Sequence, residues 1–404
     1  MKLELDKIFE SFDNNRIFSD KSTLQSNYRP EDIPHRGDQI KQIASILAPA
    51  LRGEKTSNLF LYGKTGTGKT LSVLYVRDEL MKRSMKTGTE SPFKIEYLNC
   101  KLKKVSDTEY RMVAELIKKL GGKVPNTGLP TETVYNRFID LIDSKKQFLL
   151  LILDEVDQAV KKISSDFLYN LTRLNSELSQ SQIGVVGISN DLTFLEGIDP
   201  RVRSSLSEEE IVFPPYNAIQ LQEILAHRSN LAFKKSVVEN GVVQKCAAFA
   251  AREHGDARRA LDLLRIAGEL AERDGSKRIL LKHIDEANVK IERDKILDVI
   301  KTEPRQFQHV LYSIIRLSEE NKGEPFFTGD VYNDYQDICK KNHSEVLTQR
   351  RVGDIIQEFD MLGIINVRVI SKGRGGRMRE IKLAITKNII EKAKLIIEES
   401  INYR

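Results

Sequence analysis

The chain has 404 residues, enough at roughly 150 per domain for two or three domains whose cores need no staples. With 64 Lys+Arg against 58 Asp+Glu, a net charge of +6 and 40% hydrophobic residues, it has the composition of a soluble globular protein and not of a disordered one. Its three cysteines, Cys100, Cys246 and Cys339, stand far apart without CxxC spacing, which excludes a disulfide framework or a cysteine zinc site and points to a reducing, cytoplasmic compartment.

The first residues, MKLELDKIFESFDNN, carry acids and no apolar leader core, and no window approaches the roughly 18 consecutive apolar residues of a membrane span. Residues 1–19 read as a tail, and no membrane partner is expected. A short apolar run at 58–62 then breaks into Gly63-Lys64-Thr65-Gly66-Thr67-Gly68-Lys69-Thr70 and resumes as a helical pattern at 71–81. This matches GxxxxGK[ST] in full, with the strand before it and the helix after it that the motif requires. The glycines let successive N–H groups point inward around a β-phosphate, and the positive end of the following helix adds to the attraction. Lys69 is expected to reach the β/γ-phosphates and the Thr70 hydroxyl to bind Mg²⁺.

A second apolar run, 148–153, ends in Asp154-Glu155. Asp154 is suited to hold the metal through water, and Glu155 to polarise an attacking water, so the pair argues for hydrolysis rather than binding alone. The third run, 183–188, ends in Ser189-Asn190. Asn190 fits two readings, a residue that orients the same water and a plain turn residue. Unbroken apolar runs alternating with helical stretches at 110–120 and 134–142 indicate a parallel sheet covered on both faces, in an α/β domain over 20–212. Near its end stand Arg201 and Arg203, either solvated or placed to stabilise charge on a γ-phosphate in cis or from a neighbour.

After Pro214-Pro215 the strand signal stops, and 218–231, 241–254, 257–273 and 281–301 show 3.6-residue apolar spacing, an all-α block over 213–295. Asp256 suits the cap of the helix that carries Ala257, Ala260, Leu261, Leu264 and Ala267 as its stripe. Arg258 borders that stripe and fits two readings, an arginine that swings the block onto a bound triphosphate and a member of a helix-edge ion pair. Residues 296–404 read as helices followed by two β-rich stretches, 364–370 and 377–383, around a glycine-rich tip, a winged variant of the helix-turn-helix. In the helix at 348–362, Val352, Ile355, Ile356, Phe359 and Leu362 form the expected buried stripe, leaving Gln349, Arg350, Asp354 and Gln357 to solvent. Gln349 and Arg350 are candidates for base-edge or phosphate contact. Residues 366–387 hold Arg368, Lys372, Arg374, Arg377, Arg379, Lys382 and Lys387 against Glu380 alone, a local charge as large as the whole chain's +6. Such a hairpin is suited to phosphates or the minor groove.

Taken together, Tyr28-Arg29-Pro30 with Pro34-His35-Arg36, GKTGTGKT, LILDEVD, GISND, RVRSSL, GDARRALDLLR and RRVGDIIQEFDMLGII resemble the archaeal replication initiators of the origin-recognition-complex/cell-division-cycle type, in the AAA+ ATPase superfamily. The resemblance implies an α/β plus all-α architecture: a RecA-like base, a helical lid and a winged-helix domain. It also implies ATP or ADP with Mg²⁺ as cofactors, Gly63 to Thr70 as the Walker A loop, Asp154 and Glu155 as the Walker B pair, Asn190 as sensor 1 and Arg258 as sensor 2. Arg29, Pro30, His35 and Arg36 fall in the box that lines the adenine pocket, and Arg201 falls on the arginine finger. Ser205 stands where some eukaryotic relatives carry a second arginine, in line with slow, regulatory turnover. The segment 105–134 resembles the initiator-specific insertion, which makes Lys123 a second DNA contact. The implied partners are double-stranded origin DNA, the MCM helicase and paralogous initiator subunits, with a chromosome-associated location. Two alternatives stay open: an ATP-bound repressor or transcription-type regulator at origins, and a clamp-loader or transposition-helper AAA+ protein, the latter usually without a winged helix.

Overall fold

The computed structural model describes residues 16–86, 93–101, 108–125, 127–206, 208–321, 324–371 and 377–401. These form two compact units, 1–284 and 285–404. In the first, strands β1 (Asn58–Tyr62), β2 (Phe93–Asn99), β3 (Phe148–Asp154), β4 (Gln182–Ser189) and β5 (Glu208–Val212) build a parallel sheet in the order β2-β3-β4-β1-β5. The three inner strands are the unbroken apolar runs, since both of their faces are covered. Leu149, Leu151 and Leu153 of β3 enter one core cluster while Phe148, Leu150 and Ile152 enter the other, the alternation a strand's two-residue period imposes.

One face is covered by α1 (Gly37–Leu47) and α2 (Lys69–Lys86), which contribute Ile43, Leu47, Val73, Val76 and Leu80. The other is covered by α3 (Glu109–Lys119), α4 (Thr131–Ile142), α5 (Val156–Lys162), α6 (Asp166–Arg173) and α7 (Pro200–Leu206). Phe60 of β1 fills that second face, stacked near Tyr62 and Phe194, and needs Gly187 beneath it: a Cβ there would lie 2.4 Å from the Phe60 ring.

The outer strands β2 and β5 were not marked by an apolar run. Their sequences, FKIEYLN and EEEIV, interleave or precede apolar residues with charges, as expected of strands at sheet edges.

The same unit continues into α8 (Ala218–Ala232), α9 (Val242–Arg252) and α10 (Ala257–Arg273), followed by the start of α11 (Leu281–Thr302). Ile17 and Phe18 pack on this helical block. Ser19 N–H donates to Ala232 O at 2.7 Å, Ile17 N–H donates to Glu272 Oε1 at 3.0 Å, and the Phe18 and Phe233 rings lie 4.8 Å apart. Gly268 leaves the space Phe18 occupies.

The second unit contains α12 (Arg305–Glu320), α13 (Thr328–Lys341), α14 (Gln349–Met361) and α15 (Lys387–Ile401), with a sheet β6-β8-β7 formed by Phe326–Phe327, Arg377–Leu383 and Ile365–Ser371. Helices topped by an antiparallel hairpin give the expected winged-helix arrangement. Val352, Ile355, Ile356 and Phe359 are buried in its core as expected, but Leu362 is 40% exposed. The helix ends at Met361, so Leu362 serves as its C-cap ahead of Gly363, at φ +69°, and turns off the buried stripe.

Replacing Phe60 by Ala should lower the stability of the first unit by about 3–5 kcal/mol through lost burial and the cavity left over Gly187. Denaturant unfolding checks this, and a loss below about 1 kcal/mol would mean the two sheet faces repack freely.

Candidate functional site

The strand order brings distant chemistry together. Because β4 runs between β1 and β3, their carboxyl ends deliver the glycine loop, Asn190 and Asp154 to one edge of the sheet, where the open crevice of a parallel sheet lies. Lys69, 5% exposed at the start of α2, donates to Gly63 O at 2.7 Å, Lys64 O at 2.8 Å and Asn190 Oδ1 at 2.9 Å. Burial pushes its ammonium down to about 8, opposed by the nearby Asp154 charge and reinforced by Arg258. Thr70 Oγ1 donates to Asp154 Oδ2 at 2.9 Å, and the Tyr97 hydroxyl donates to the same oxygen at 2.7 Å. Asp154 Oδ1 accepts from the Glu155 N–H at 3.0 Å.

Glu155 sits in the left-handed region, at φ 55° and ψ 44°, in the position just before α5, where its side chain makes no capping hydrogen bond; Lys101 Nζ lies 3.5 Å from its Oε2. Asn190 is held from behind by Asp157, buried at 2% exposure, which accepts from the Asn190 N–H at 3.4 Å and from Ser189 Oγ at 3.3 Å.

Of these, Lys69, Thr70, Asp154, Glu155 and Asn190 line a cleft of about 310 Å³ whose other wall is α8 and α10. Gly66 at φ +71° and Gly68 at φ +91° form a cradle that side chains would fill: a Cβ on Gly66 would fall 1.7 Å from Asp256 Oδ1, and one on Gly68 2.8 Å from the Tyr216 hydroxyl. Asp256 caps α10, accepting from the Arg258 N–H at 2.8 Å, while Thr65 Oγ1 donates to its second oxygen at 3.4 Å and the Ala257 N–H donates to Gly66 O at 3.3 Å. The cap of the helical block thus rests on the glycine loop. The inward loop amides and Lys69 suit phosphate groups, and Thr70 with Asp154 offers the hard oxygen donors that suit Mg²⁺ beside phosphate.

Of the residues singled out in the sequence, Gly66, Thr67, Gly68, Lys69, Thr70, Asp154, Glu155, Asn190, Arg258, Arg29 and Pro30 line this cleft. Gly63, Lys64 and Thr65 stand outside its lining: Gly63 and Lys64 act through their carbonyls, and Lys64 Nζ lies 3.3 Å from His254 Nδ1. His35 and Arg36 also lie behind the wall. Arg36, 2% exposed, donates to Thr67 O at 2.8 Å and Pro214 O at 2.6 Å and stacks 3.9 Å from the Tyr216 ring centre, so it braces the loop. His35 Nε2 stands 2.9 Å from Glu223 Oε2. Arg201 is 86% exposed, away from the cleft, and is held by its own Asp199 at 2.9 Å.

Lys123 is exposed between α3 and α4. Gln349 and Arg350 are exposed in the first turn of α14, which Thr348 caps by accepting from the Arg351 N–H, and Arg379 is exposed on β8 opposite Val369. Lys372, Arg374 and the Arg377 side chain lie outside the described residues.

Sequence reasoning passed over Tyr97, Lys101 and Arg228. The first two belong to the edge strand β2 and its end, which carried no apolar-run signal. Arg228, 6% exposed on α8, stacks 4.2 Å from the Tyr28 ring centre and lines the cleft; a lone arginine in an amphipathic helix gives no signal of burial.

Comparison with known proteins places this geometry. The family described as AAA domain matches residues 52–190, Cdc6 AAA+ ATPase-type lid domain matches 222–289, and CDC6, C terminal winged helix domain matches 298–393. The chain is 50% identical over 390 residues to the ORC1-type DNA replication protein of Pyrococcus abyssi, covering 95% of this chain and 92% of that one. It is 47% identical over 384 residues to ORC1-type DNA replication protein 1 of Methanosarcina mazei, covering 94% and 91%. Among solved structures, the Aeropyrum pernix ORC1 protein in complex with DNA superposes with a TM-score of 0.80 at 43% identity, covering 95% of this chain and 97% of that one. Cdc6p from Pyrobaculum aerophilum shares the fold, with a TM-score of 0.61 at 20% identity over 96% of this chain and 99% of that one.

Phosphate oxygens favour the charged form of Lys69, so its pKa rises when they bind. Nucleotide affinity should therefore be full below about 8 and fall as pH rises past it, with proton uptake on binding. Calorimetry in buffers of different ionisation enthalpy measures that uptake; none at pH 8.5 to 9 would place the ammonium in the charged form already.

Proposed function

This chain belongs to the ORC1-type family of DNA replication proteins, and from that premise we propose that it is a Mg-ATP-dependent initiator that binds origin duplex DNA, helps recruit and load the MCM helicase, and uses slow ATP hydrolysis as a switch. The observation that carries the nucleotide half is the convergence of Lys69, Thr70, Asp154 and Asn190 within direct hydrogen-bond contact at the carboxyl ends of three adjacent strands.

The loop amides of residues 66–69 hold the phosphates, and Lys69 exchanges its carbonyl partners for β/γ-phosphate oxygens. Thr70 and Asp154 would hold Mg²⁺, which would neutralise charge developing on the phosphates. Glu155 polarises the attacking water and Asn190 orients it. Arg258 reaches the γ-phosphate from the lid, and because the lid cap already rests on Gly66, the state of the nucleotide sets the angle of lid against base. Tyr28, Arg29 and Pro30 cover the adenine end, with Arg36 bracing the loop behind them. Arg201, exposed and pre-oriented by Asp199, is the finger offered to a neighbouring subunit.

On the DNA side, α14 presents Gln349 and Arg350 to the major groove, and the wing residues Lys372, Arg374, Arg377 and Arg379 follow the phosphates or the minor groove. Lys123 makes a second contact from the ATPase base. The DNA complex of the Aeropyrum pernix relative supports this half, and the exposure of Gln349, Arg350, Lys123 and Arg379 agrees with it. Such a protein works on the chromosome, and no helix among the described residues is long and apolar enough to cross a membrane.

A second reading, an ATP-bound regulator at origins with little turnover, is favoured by one contact: Glu155 is paired with Lys101, so its carboxylate is engaged away from catalysis.

Replacing Glu155 by Gln separates the two. Under the switch it should leave ATP affinity intact, lower hydrolysis by 10²-fold or more and change helicase recruitment on origin DNA. Unchanged DNA occupancy and recruitment would favour the regulator. For the winged helix, Arg350→Ala should weaken binding to cognate DNA by about 1–3 kcal/mol more than to random DNA, whereas Arg379→Ala should weaken both and reduce the salt slope by about one. Equal loss on both sequences for Arg350→Ala would make it a phosphate contact.

A further inference from the structure

Asp154 is a carboxylate with about four lone-pair positions, and among the described residues three are taken. Oδ2 accepts from Thr70 Oγ1 at 2.9 Å and from the Tyr97 hydroxyl at 2.7 Å, and Oδ1 accepts from the Glu155 N–H at 3.0 Å. That leaves one position, on Oδ1, for a water on a bound metal.

Tyr97 comes from β2, one strand over. The parallel register sets Asn99 beside Asp154, and the Cys100 N–H donates to the Asp154 carbonyl at 2.8 Å, so backbone and side chain of Asp154 are both held from this neighbouring strand. Thr70 and the Glu155 N–H each hold one carboxylate oxygen from the site's own strand and loop, and the phenol adds a third donor from the neighbouring strand.

We infer that Tyr97 is a positioning residue for the metal site: its hydroxyl, with Thr70 and the Glu155 N–H, fixes the orientation of the Asp154 carboxylate that would hold Mg²⁺. A phenol carries its proton at neutral pH, so the hydroxyl is the donor in this contact. The inference rests on the nucleotide reading above and adds a residue to it, since Tyr97 does not line the cleft.

The full chain and its Tyr97→Phe variant test it, with a fluorescent ADP analogue titrated in EDTA and at graded Mg²⁺ concentrations. Outer partners of metal ligands typically contribute 10- to 100-fold in metal affinity, so the variant should need about tenfold more Mg²⁺ to reach half of the metal-dependent gain in affinity. Its affinity in EDTA and its unfolding temperature should match the parent, because the ring is kept. An unchanged Mg²⁺ requirement overturns the inference. Equal loss of affinity with and without Mg²⁺ overturns it too, by making Tyr97 a packing residue of the cleft. If the parent itself gains nothing from Mg²⁺, the nucleotide reading fails and the inference with it.

Discussion

An ammonium group buried at the edge of a parallel sheet is costly unless every proton finds an acceptor, and Lys69 finds three: two carbonyls of its own loop and the amide oxygen of Asn190. The arrangement holds the charge in readiness, since each of these acceptors is weaker than a phosphate oxygen. It also ties the glycine loop to β4, which runs beside β3 and its Asp154. The geometry of the site follows from satisfying this one cation in a sheet whose strand order is β2-β3-β4-β1-β5.

The helical block is drawn into the same constraint. Gly66 has no side chain, and the Asp256 cap of α10 occupies the space one would fill, so the loop whose amides suit phosphate is also the seat of the lid. Arg36 and Tyr216 press on the loop from the other side. Any ligand that moves the loop amides must therefore move the lid cap or lose its contacts, and the proposed link between nucleotide state and lid position rests on that constraint.

How far these features were legible in the sequence depends on what produced each one. Strands β1, β3 and β4 are buried on both faces and so show as unbroken apolar runs, and α10 coincides with its predicted span because Asp256 caps it and the stripe runs its length. β2 and β5 lie at the sheet edges, where Lys94, Glu96 and the glutamates of β5 suit the environment and erase the apolar signal. Tyr97 was hidden with β2. For His35 and Arg36 the motif was visible but their destination was not, because a box of residues near a pocket does not say which of them face it.

What the sequence determined by itself is local: a glycine loop between strand and helix, a carboxylate pair at a strand end, a capped helix bearing Arg258, and helices followed by a basic hairpin. Each follows from backbone geometry and apolar spacing over a few turns of chain. Only the tertiary structure decided that β4 separates β1 from β3, that Asp256 sits against Gly66, and that Tyr97 meets Asp154. Those contacts join residues 34 to 190 positions apart, and no local pattern encodes which distant strand will pack beside which.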